Sequence, residues 1–222
     1  MTAIVLQARL GSTRLPGKAL LPLGGSTLIE QAMARLALVG ADARVLATDE
    51  ASAAALGPAA ERGGFELLIG PAEDVLARYC LAIRRFGIEL LVRATGDNPL
   101  VSQELASLLL ERRAGHPSDY AGYMGMPLGM GVELVDAEAL LKAESLARST
   151  PEREHVCPYI YGHPELFRVD RPEAPSEYIL PGASVTVDVA ADYEAMLRLY
   201  GALYDGRPIP SAAVMAYLRG DA

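Results

Sequence analysis

The sequence predicts an α/β protein built on a mainly parallel sheet that is flanked by helices. Two observations lead to this fold class. Short apolar runs alternate with amphipathic segments through the first half of the chain, and the connections between them are short. Strands and helices in that alternation form right-handed crossovers, which place neighbouring strands parallel. The chain has 222 residues, 51% of them hydrophobic, and is long enough for one domain with a sizeable core.

The elements follow one another in a regular order. An apolar run predicts a first strand over residues 3–8, and a loop rich in glycine and proline extends over residues 11–25. Helical periodicity predicts the first helix over residues 28–39, which Ser26 or Thr27 would cap and Gly40 would end. Further strands are predicted over residues 44–48, 65–69 and 88–93, and further helices over residues 50–62, 72–86 and 102–113.

After residue 115 the pattern becomes irregular. Residues 120–130 are rich in Gly, Met and Tyr, and short apolar and amphipathic pieces follow. An alternating apolar run predicts a last strand over residues 184–189, and a helix is expected over residues 191–204. We therefore expect one domain over residues 1–222, in which residues 116–183 form an excursion that binds a second substrate or forms a dimer.

Composition argues against several classes of function. The net charge is -8 and the isoelectric point is near 5.0, so the chain repels phosphate polymers and nucleic acid is not an expected partner. Cys80 and Cys157 have no metal-ligand spacing and form no disulfide framework, which predicts reduced thiols and a cytoplasmic location. No apolar stretch reaches the roughly 20 residues that span a bilayer, so no membrane contact is expected.

The loop after the first predicted strand collects positive charge. The chain contains 28 acidic residues, yet the first of them is Glu30, whereas Arg9, Arg14 and Lys18 all precede it. Open parallel sheets bind ligands at the carboxyl ends of their strands, where this loop lies. Gly11 lets backbone N–H groups turn towards an anion. Three cations with exposed amides therefore predict a polyphosphate site.

This loop differs from a P-loop in two respects. The segment from Gly11 to Lys18 has one residue too many between its glycines for G-x-x-x-x-G-K-[ST]. Ala19 also occupies the position of the hydroxyl that binds magnesium in a P-loop. The loop is therefore expected to bind phosphates in another way.

Two aspartates follow predicted strands and point to a metal site. Asp97 lies in ATGDNP and Asp188 lies in VTVDVAADY, each at the carboxyl end of its strand, on the edge where the basic loop lies. Mg²⁺ takes one or two carboxylates together with phosphate oxygens and water. A structural role remains open for each residue, because Asp97 also suits a turn and Asp188 also suits a helix N-cap.

Four segments resemble a known family in sequence and in order. LQARLGSTRLPGKAL, ATGDNPL, EREHVCPYIY and VTVDVAADYE occur in the order found in the cytidylyltransferase superfamily, over residues 6–194. The chain most resembles the spore-coat polysaccharide biosynthesis branch, and other relatives activate 3-deoxy-manno-octulosonate and sialic acids. The resemblance implies a nucleotide-diphospho-sugar transferase (Rossmann-like) fold, CTP as the donor, and a homodimer.

The resemblance also implies roles for individual residues. Lys18, Arg14 and Asp97 would be catalytic, and Asp97 and Asp188 would hold Mg²⁺. The implied nucleotide-binding residues are Leu6, Gln7, Ala8, Arg9, Gly11, Ser12, Arg14, Lys18, Thr48, Asp49 and Thr95. The candidates on the acceptor side are Glu133, Glu154 and His155. Many relatives carry a second acid where this chain has Asn98, which leaves the acceptor open.

The expected function is transfer of CMP from CTP to a small acidic, sugar-like acceptor, with release of pyrophosphate, in the biosynthesis of a surface polysaccharide or glycoconjugate. Two alternatives remain open at this point. One is a glycosyltransferase that uses a nucleotide sugar, and the other is a non-catalytic nucleotide-binding protein. Pyrophosphate release separates the first reading from both alternatives.

Overall fold

A seven-stranded sheet forms the centre of the computed structural model, which describes residues 1–221. The strands are β1 (Thr2–Gln7), β2 (Pro22–Leu23), β3 (Ser26–Thr27), β4 (Ala43–Thr48), β5 (Glu66–Ile69), β6 (Leu90–Thr95), β7 (Tyr120–Ala121), β8 (Glu133–Asp136) and β9 (Val169–Asp170). The helices are α1 (Leu28–Leu36), α2 (Glu50–Gly63), α3 (Val75–Phe86), α4 (Gln103–Gly115), α5 (Ala137–Leu146), α6 (Thr150–His155), α7 (Pro158–Gly162), α8 (Ala190–Leu203) and α9 (Ser211–Arg219). Single-turn 3₁₀ helices cover Lys18–Leu20 and Ser176–Tyr178.

The sheet confirms the predicted fold class. Its strand order is β5-β4-β1-β6-β8-β7-β9, and β2 and β3 form a separate small hairpin. The four strands β5, β4, β1 and β6 are parallel, β8 runs antiparallel to β6 and to β7, and β9 runs parallel to β7. The antiparallel part lies within residues 116–183, so this excursion adds three strands to the same sheet.

Helix α3 begins later than the sequence predicted. The predicted start was residue 72, whereas the helix begins at Val75, with Asp74 as its N-cap. The Asp74 side chain accepts from the amide of Ala77 at 3.0 Å. Arg78 reaches back and donates to the carbonyl oxygens of Pro71 and Ala72, which holds the preceding residues as a loop.

The predicted strand over residues 184–189 is wrong. The segment is extended, but its backbone amides donate hydrogen bonds to carbonyl groups of loops instead of to a neighbouring strand. Val185 donates to the carbonyl of Leu128 at 2.8 Å, and Val187 donates to the carbonyl of Asp97 at 2.9 Å. The apolar alternation is real, because Val185 and Val187 are buried in a cluster with residues of α8 and α9. The segment therefore crosses the carboxyl edge of the sheet and brings Asp188 close to Asp97.

The helices cover both faces of the sheet. Helices α3, α5 and α7 pack on one face, and α1, α2 and α4 pack on the other. Helices α8 and α9 build a third apolar cluster with the β2–β3 hairpin region. Among residues 1–221, none of the helices has the length and apolar character needed to span a bilayer.

Candidate nucleotide site

The basic loop leaves the sheet at the carboxyl end of β1 and is held by one hydrogen bond to a side chain of α2 and one within its own backbone. The amide of Leu10 donates to the hydroxyl of Ser52 at 2.9 Å, and the amide of Gly17 donates to the carbonyl of Leu10 at 3.1 Å. Gly17 has a φ of 68°, in the left-handed region that glycine adopts without strain. This turn places Lys18 over the carboxyl edge of the sheet.

Lys18 is bound to three oxygen atoms. Its ammonium group donates to Oδ2 of Asp97 at 3.0 Å, to Oδ1 of Asp188 at 2.8 Å and to the carbonyl of Val187 at 2.9 Å. An ammonium group has three N–H donors, so all of them are used. The two aspartates, far apart in sequence, therefore meet at one cation.

The charges around Lys18 are balanced. Arg14 lies 3.2 Å from Oδ1 of Asp188, so two cations face two carboxylates. The hydrogen bond from Lys18 holds the pKa of the Asp188 carboxyl below its usual value, and the charges of Lys18 and Arg14 contribute further. Asp188 is therefore ionised at neutral pH and available as a ligand for a cation.

The turn that carries Asp97 requires a glycine. The amide of Gly96 donates to the carbonyl of Gln7 at 2.7 Å. A Cβ atom at position 96 would lie 2.8 Å from the Cβ of Ala8, a distance that side chains do not tolerate. Gly96 thus lets the turn after β6 lie directly against the end of β1, next to the basic loop.

Asn98 connects two parts of the site. Its side-chain amide donates to Oγ1 of Thr95 at 2.9 Å, and its Oδ1 accepts from Oγ1 of Thr186 at 2.9 Å. A carboxylate at this position could accept both bonds only if Thr95 turned its hydroxyl to donate. Asn98 therefore ties the turn after β6 to the extended segment that carries Asp188.

A cleft of about 450 Å³ opens beside Lys18 and contains most of the predicted site. The predicted residues that line it are Gln7, Ala8, Arg9, Gly11, Ser12, Arg14, Lys18, Thr95, Asp97, Glu154, His155 and Asp188. Val75 and Arg93 also line the cleft and were not predicted. Arg93 had a weak signal, since it is a charged residue at the carboxyl end of the predicted strand over residues 88–93, whereas Val75 had none.

Three predicted nucleotide-binding residues lie outside the lining of this cleft. The side chains of Leu6 and Thr48 are buried. Asp49 is nearly buried and caps α2 by accepting from the amide of Ser52 at 2.8 Å. These residues shape the strand ends behind the cleft from within the fold.

Glu154 and His155 line the cleft, and their role on the acceptor side stays a prediction. They stand at the end of α6, and Glu154 lies 3.8 Å from Arg9. Arg153 holds this helix in place by donating to Oδ2 of Asp74 at 2.7 Å and to the carbonyls of Glu144 and Ala147. The pair of Arg153 and Asp74 therefore joins the chain segments that carry His155 and Val75, which form the far wall of the cleft.

Val156, the residue that follows His155 in the chain, has an unusual backbone conformation. Val156 has a φ of 74° and a ψ of -62°, and the amide of Cys157 donates to the carbonyl of His155 at 2.9 Å. This is a γ-turn of the rare, strained kind. Val156 is completely buried, which holds the turn in place. Strain of this kind concentrates at functional sites, and here it directly follows His155.

We expect Arg153→Ala to raise the KM for the nucleotide about tenfold with a smaller change in kcat. A tenfold change corresponds to about 1.4 kcal/mol, the size of one hydrogen bond to a charged group. The reason is that the far wall of the cleft would lose the hydrogen bond between Arg153 and Asp74 that holds it in place, whereas the reacting atoms would lose no contact. Steady-state kinetics measures both constants.

The matched control is Arg84→Ala. Arg84 of α3 pairs with Glu144 of α5 at 2.5 Å, between the two helices whose ends Arg153 contacts from α6, and it does not line the cleft. Equal effects of Arg153→Ala and Arg84→Ala on KM would contradict a positioning role for Arg153. Arg153→Lys is expected to recover part of the loss, because a lysine can still reach Asp74.

A second cavity of about 610 Å³, here called the chamber, adjoins the cleft. Arg93 and Thr95 line both. Glu133, predicted on the acceptor side, lines the chamber, but its carboxylate is bound by Arg93 and accepts from the Tyr120 hydroxyl at 2.7 Å. Burial, together with the Glu133 charge, raises the pKa of Tyr120, so its hydroxyl stays protonated and donates.

The methionine-rich segment forms one side of the chamber. Tyr123, Met124 and Met126 line it, whereas Met130 is buried in the cluster formed with α8 and α9. The chamber and the cleft meet at Thr95, next to the turn that carries Asp97. A molecule in the chamber would therefore lie beside a nucleotide in the cleft.

The two aspartates fit a divalent cation such as Mg²⁺. Asp97, Asp188 and the carbonyl of Val187 offer hard oxygen ligands around a single point that Lys18 now contacts. Within residues 1–221 no group of three or more His, Cys, Asp or Glu side chains forms a metal site. Phosphate and water oxygens would have to complete the coordination, as is usual for Mg²⁺.

Solved structures place the fold in the nucleotidyltransferase class. The cytidylyltransferase from Leptospira borgpetersenii serovar Hardjo-bovis superimposes with a TM-score of 0.90 at 27% identity, over 99% of this chain and 94% of that one. A CMP:2-keto-3-deoxy-manno-octonic acid synthetase, solved in complex with CTP, gives a TM-score of 0.68 at 18% identity, over 90% of this chain and 98% of that one.

The sequence then assigns the chain within that class. Residues 3–202 match the cytidylyltransferase family. The chain is also 36% identical over 203 residues to the spore coat polysaccharide biosynthesis protein SpsF of Bacillus subtilis, which covers 88% of this chain and 85% of that protein. The protein belongs to the cytidylyltransferase family, which confirms the resemblance seen in the four motifs.

Proposed function

We propose that the protein transfers CMP from CTP to a small acidic sugar or sugar-like acceptor, in a Mg²⁺-dependent reaction that releases pyrophosphate. One observation carries this proposal. Lys18 joins the basic loop to Asp97 and Asp188 in a cleft that opens into a second cavity of substrate size. A phosphate-binding loop, a carboxylate pair and an adjoining chamber are what transfer between a nucleotide and a second substrate requires.

Each part of the cleft has a proposed role. Arg9, Arg14 and Lys18 bind the triphosphate, with backbone amides of the loop around Gly11 and Ser12. Gln7, Ala8 and Thr95 contact the nucleoside. Asp97 and Asp188 hold Mg²⁺, which when bound neutralises phosphate charge and positions the reacting oxygens. Leu6, Thr48 and Asp49 support the strand ends behind these contacts.

The proposed reaction is a displacement at the α-phosphorus of CTP. An acceptor oxygen forms a bond to this phosphorus, the bond to the oxygen that bridges to the β-phosphate breaks, and pyrophosphate leaves. The proton of an acceptor hydroxyl is released to water. Lys18 and Arg14 neutralise the charge that develops on the leaving oxygens, which is where preorganised cations contribute most.

The proposed setting follows from the relatives and from the cysteines. SpsF is named for spore coat polysaccharide biosynthesis, and we place this protein in a comparable pathway of surface polysaccharide or glycoconjugate synthesis. Cys80 and Cys157 are free and buried, which suits the reducing cytoplasm. The proposed homodimer rests on the family resemblance, and a single species of 23.6 kDa in light scattering would refute it.

Thermal shift with CTP, UTP, ATP and GTP, each with and without Mg²⁺, tests the proposed donor. We expect CTP with Mg²⁺ to stabilise the protein most, since a ligand at 100 times its Kd adds about 2.7 kcal/mol to the folded state. Asp97→Asn is expected to remove the magnesium-dependent part. Pyrophosphate release is then measured with candidate acceptors.

Two outcomes would contradict the proposal. Stronger stabilisation by a nucleoside diphosphate than by any triphosphate would favour glycosyl transfer from a nucleotide sugar. Tight CTP binding without pyrophosphate release across a wide acceptor panel would favour a non-catalytic nucleotide-binding protein.

A further inference from the structure

The segment that carries Asp188 is held in place by few hydrogen bonds. Residues 185–188 are not part of any strand in the described chain, so no ladder of backbone bonds fixes them. The amides of Val185 and Val187 donate to the carbonyls of Leu128 and Asp97, at 2.8 and 2.9 Å. The position of Asp188 relative to Asp97 therefore depends on the amide of Val187 and on side-chain contacts.

Lys18 offsets the repulsion between the two carboxylates. Its ammonium group lies 3.0 Å from Oδ2 of Asp97 and 2.8 Å from Oδ1 of Asp188. The proposed role of Lys18 and Arg14 takes both cations to the phosphates of the nucleotide. Two like charges then face each other until a divalent cation binds, and at this range they repel. A segment with so few bonds would move away unless an uncharged contact holds it.

Asn98 and Thr186 form such a contact. The hydroxyl of Thr186 donates to Oδ1 of Asn98 at 2.9 Å, and the side-chain amide of Asn98 donates to Oγ1 of Thr95 at 2.9 Å. Asn98 directly follows Asp97, and Thr186 lies two residues before Asp188. Neither side chain is ionised, so this bond does not depend on which cation lies between the carboxylates.

A third chain segment covers the bond between Thr186 and Asn98. Gly129 has a φ of 93°, and a Cβ atom there would lie 2.6 Å from Oγ1 of Thr186 and 2.9 Å from Oδ1 of Asn98. Only a residue without a side chain can pack so closely, and glycine adopts this backbone conformation without strain. The contact keeps water from one side of the hydrogen bond, and a drier hydrogen bond is stronger.

We propose that Asn98 and Thr186 are positioning residues, whose hydrogen bond keeps the two aspartates together after Lys18 has left them. The inference rests on the proposed function, because Lys18 leaves the aspartates only when it binds the nucleotide. An amide at position 98 suits this task better than an acid, since a third carboxylate beside Asp97 would add to the repulsion. The bond contributes little while Lys18 is in place and becomes decisive once Lys18 has gone.

Calorimetry with Mn²⁺ in the absence of nucleotide tests the inference in two backgrounds. Lys18→Ala removes the cation between the aspartates and so reproduces its departure. In the Lys18→Ala background, Thr186→Val is expected to weaken Mn²⁺ binding about five- to tenfold, the effect of losing one neutral hydrogen bond. In the wild-type background we expect a change of less than about twofold, because Lys18 keeps the aspartates together in the metal-free state.

Three further variants, each in the Lys18→Ala background, separate positioning from general support of the fold. Thr186→Ser retains the hydroxyl and is expected to restore Mn²⁺ binding. Asn98→Ala removes the other partner and is expected to weaken Mn²⁺ binding as Thr186→Val does. Ser184→Ala is the matched control, because the Ser184 hydroxyl accepts from the amide of Thr186 at 3.3 Å within the same segment. It is expected to leave the Mn²⁺ affinity unchanged.

The outcomes that overturn the inference differ from those that overturn the proposed function. An unchanged Mn²⁺ affinity in Thr186→Val and Asn98→Ala, an equal loss in both backgrounds, or an equal loss in Ser184→Ala would each overturn the inference and leave the proposed function standing. Failure of the wild-type protein and of Lys18→Ala to bind Mn²⁺, with and without α,β-methylene-CTP, would contradict the proposed metal-dependent function, and the inference with it.

Discussion

We expect Lys18→Ala to lower kcat about 10²- to 10³-fold, the usual cost of removing one preorganised charge at a developing anion. Lys18 is one of only two lysines among the 20 Lys and Arg residues of the chain. Its side chain ends in a compact ammonium group, whereas the arginines end in a planar guanidinium group. Three oxygens surround that group at 2.8–3.0 Å. Turnover is measured by pyrophosphate release with the correct acceptor.

The other lysine provides the control. Among the described residues, the ammonium group of Lys142 donates to the carbonyl of Leu166 at 3.4 Å and lies over the ring of Phe167, and Lys142 does not line the cleft. Lys142→Ala is expected to leave turnover unchanged. Near-wild-type turnover of Lys18→Ala would refute the role of Lys18 in the transfer.

The contacts of Lys18 also predict that metal binding and nucleotide binding are linked. The ammonium group of Lys18 contacts the oxygens of Asp97 and Asp188 that would bind the metal, so Lys18 and the metal cannot occupy this position together. Without nucleotide, Lys18→Ala is therefore expected to bind Mn²⁺ about tenfold more tightly than wild type, a gain of about 1.4 kcal/mol. Calorimetry measures this affinity independently of activity, and weaker Mn²⁺ binding by the variant would show that Lys18 does not compete with the metal.

Labelling with ¹³C-lysine lets this exchange be followed directly. With only Lys18 and Lys142 in the chain, the spectrum contains two lysine ε-methylene signals. Addition of CTP with Mg²⁺ is expected to shift the signal of Lys18, as its partners change from carboxylates to phosphates, and to leave that of Lys142 in place. A stationary Lys18 signal at saturating nucleotide would contradict the exchange.

The second large effect concerns stability. We expect Glu133→Ala to lower the free energy of unfolding by about 3 kcal/mol, which for a chain of this size is a fall of about 6–12 °C in Tm. Arg93 and Glu133 face each other on β6 and β8, and their side chains are only 16% and 22% exposed. Burial alone would lower the pKa of Arg93, whereas the charge of Glu133 raises it. Because an arginine side chain stays protonated in proteins, Glu133→Ala would leave a charged guanidinium without its counterion.

A double variant tests the cause of this loss. Arg93→Met with Glu133→Leu removes both charges, and we expect it to recover much of the stability that Glu133→Ala loses, because no uncompensated charge remains. Urea unfolding measures both variants. This explanation would be contradicted if the double variant lost as much free energy of unfolding as the single variants Arg93→Met and Glu133→Leu lose in sum. Arg84→Ala, which breaks a more exposed pair, is expected to cost less than about 1 kcal/mol.

Much of the cleft could be predicted because it lies in one short segment. Arg9, Arg14 and Lys18 follow a single buried strand, so the edge of the sheet they occupy follows from the strand–helix alternation. Asp97 could be placed at the same edge of the sheet because it also follows a predicted strand. Asp188 was placed at the correct edge from a wrong premise, since its segment is no strand and is held there by bonds to loop carbonyls.

Other parts of the site depend on contacts between distant segments. Nothing local to Glu154 and His155 indicates that Arg153 binds Asp74, so the sequence could not show that they form a wall of the cleft. Glu133 was singled out for the acceptor side, which stays a prediction, and its pairing with Arg93 could not be foreseen because it depends on the register of β6 and β8.

The sequence by itself determined the fold class, the basic loop and the family, because these depend on periodicity and on the order of residues within short segments. The tertiary structure alone decided the antiparallel end of the sheet, the partners of Lys18, the far wall of the cleft and the pairing of Glu133 with Arg93. Each of these results from pairing between residues tens of positions apart. Such pairs are selected by which partners can satisfy buried charges and hydrogen bonds together, and that selection is made only when the whole chain packs.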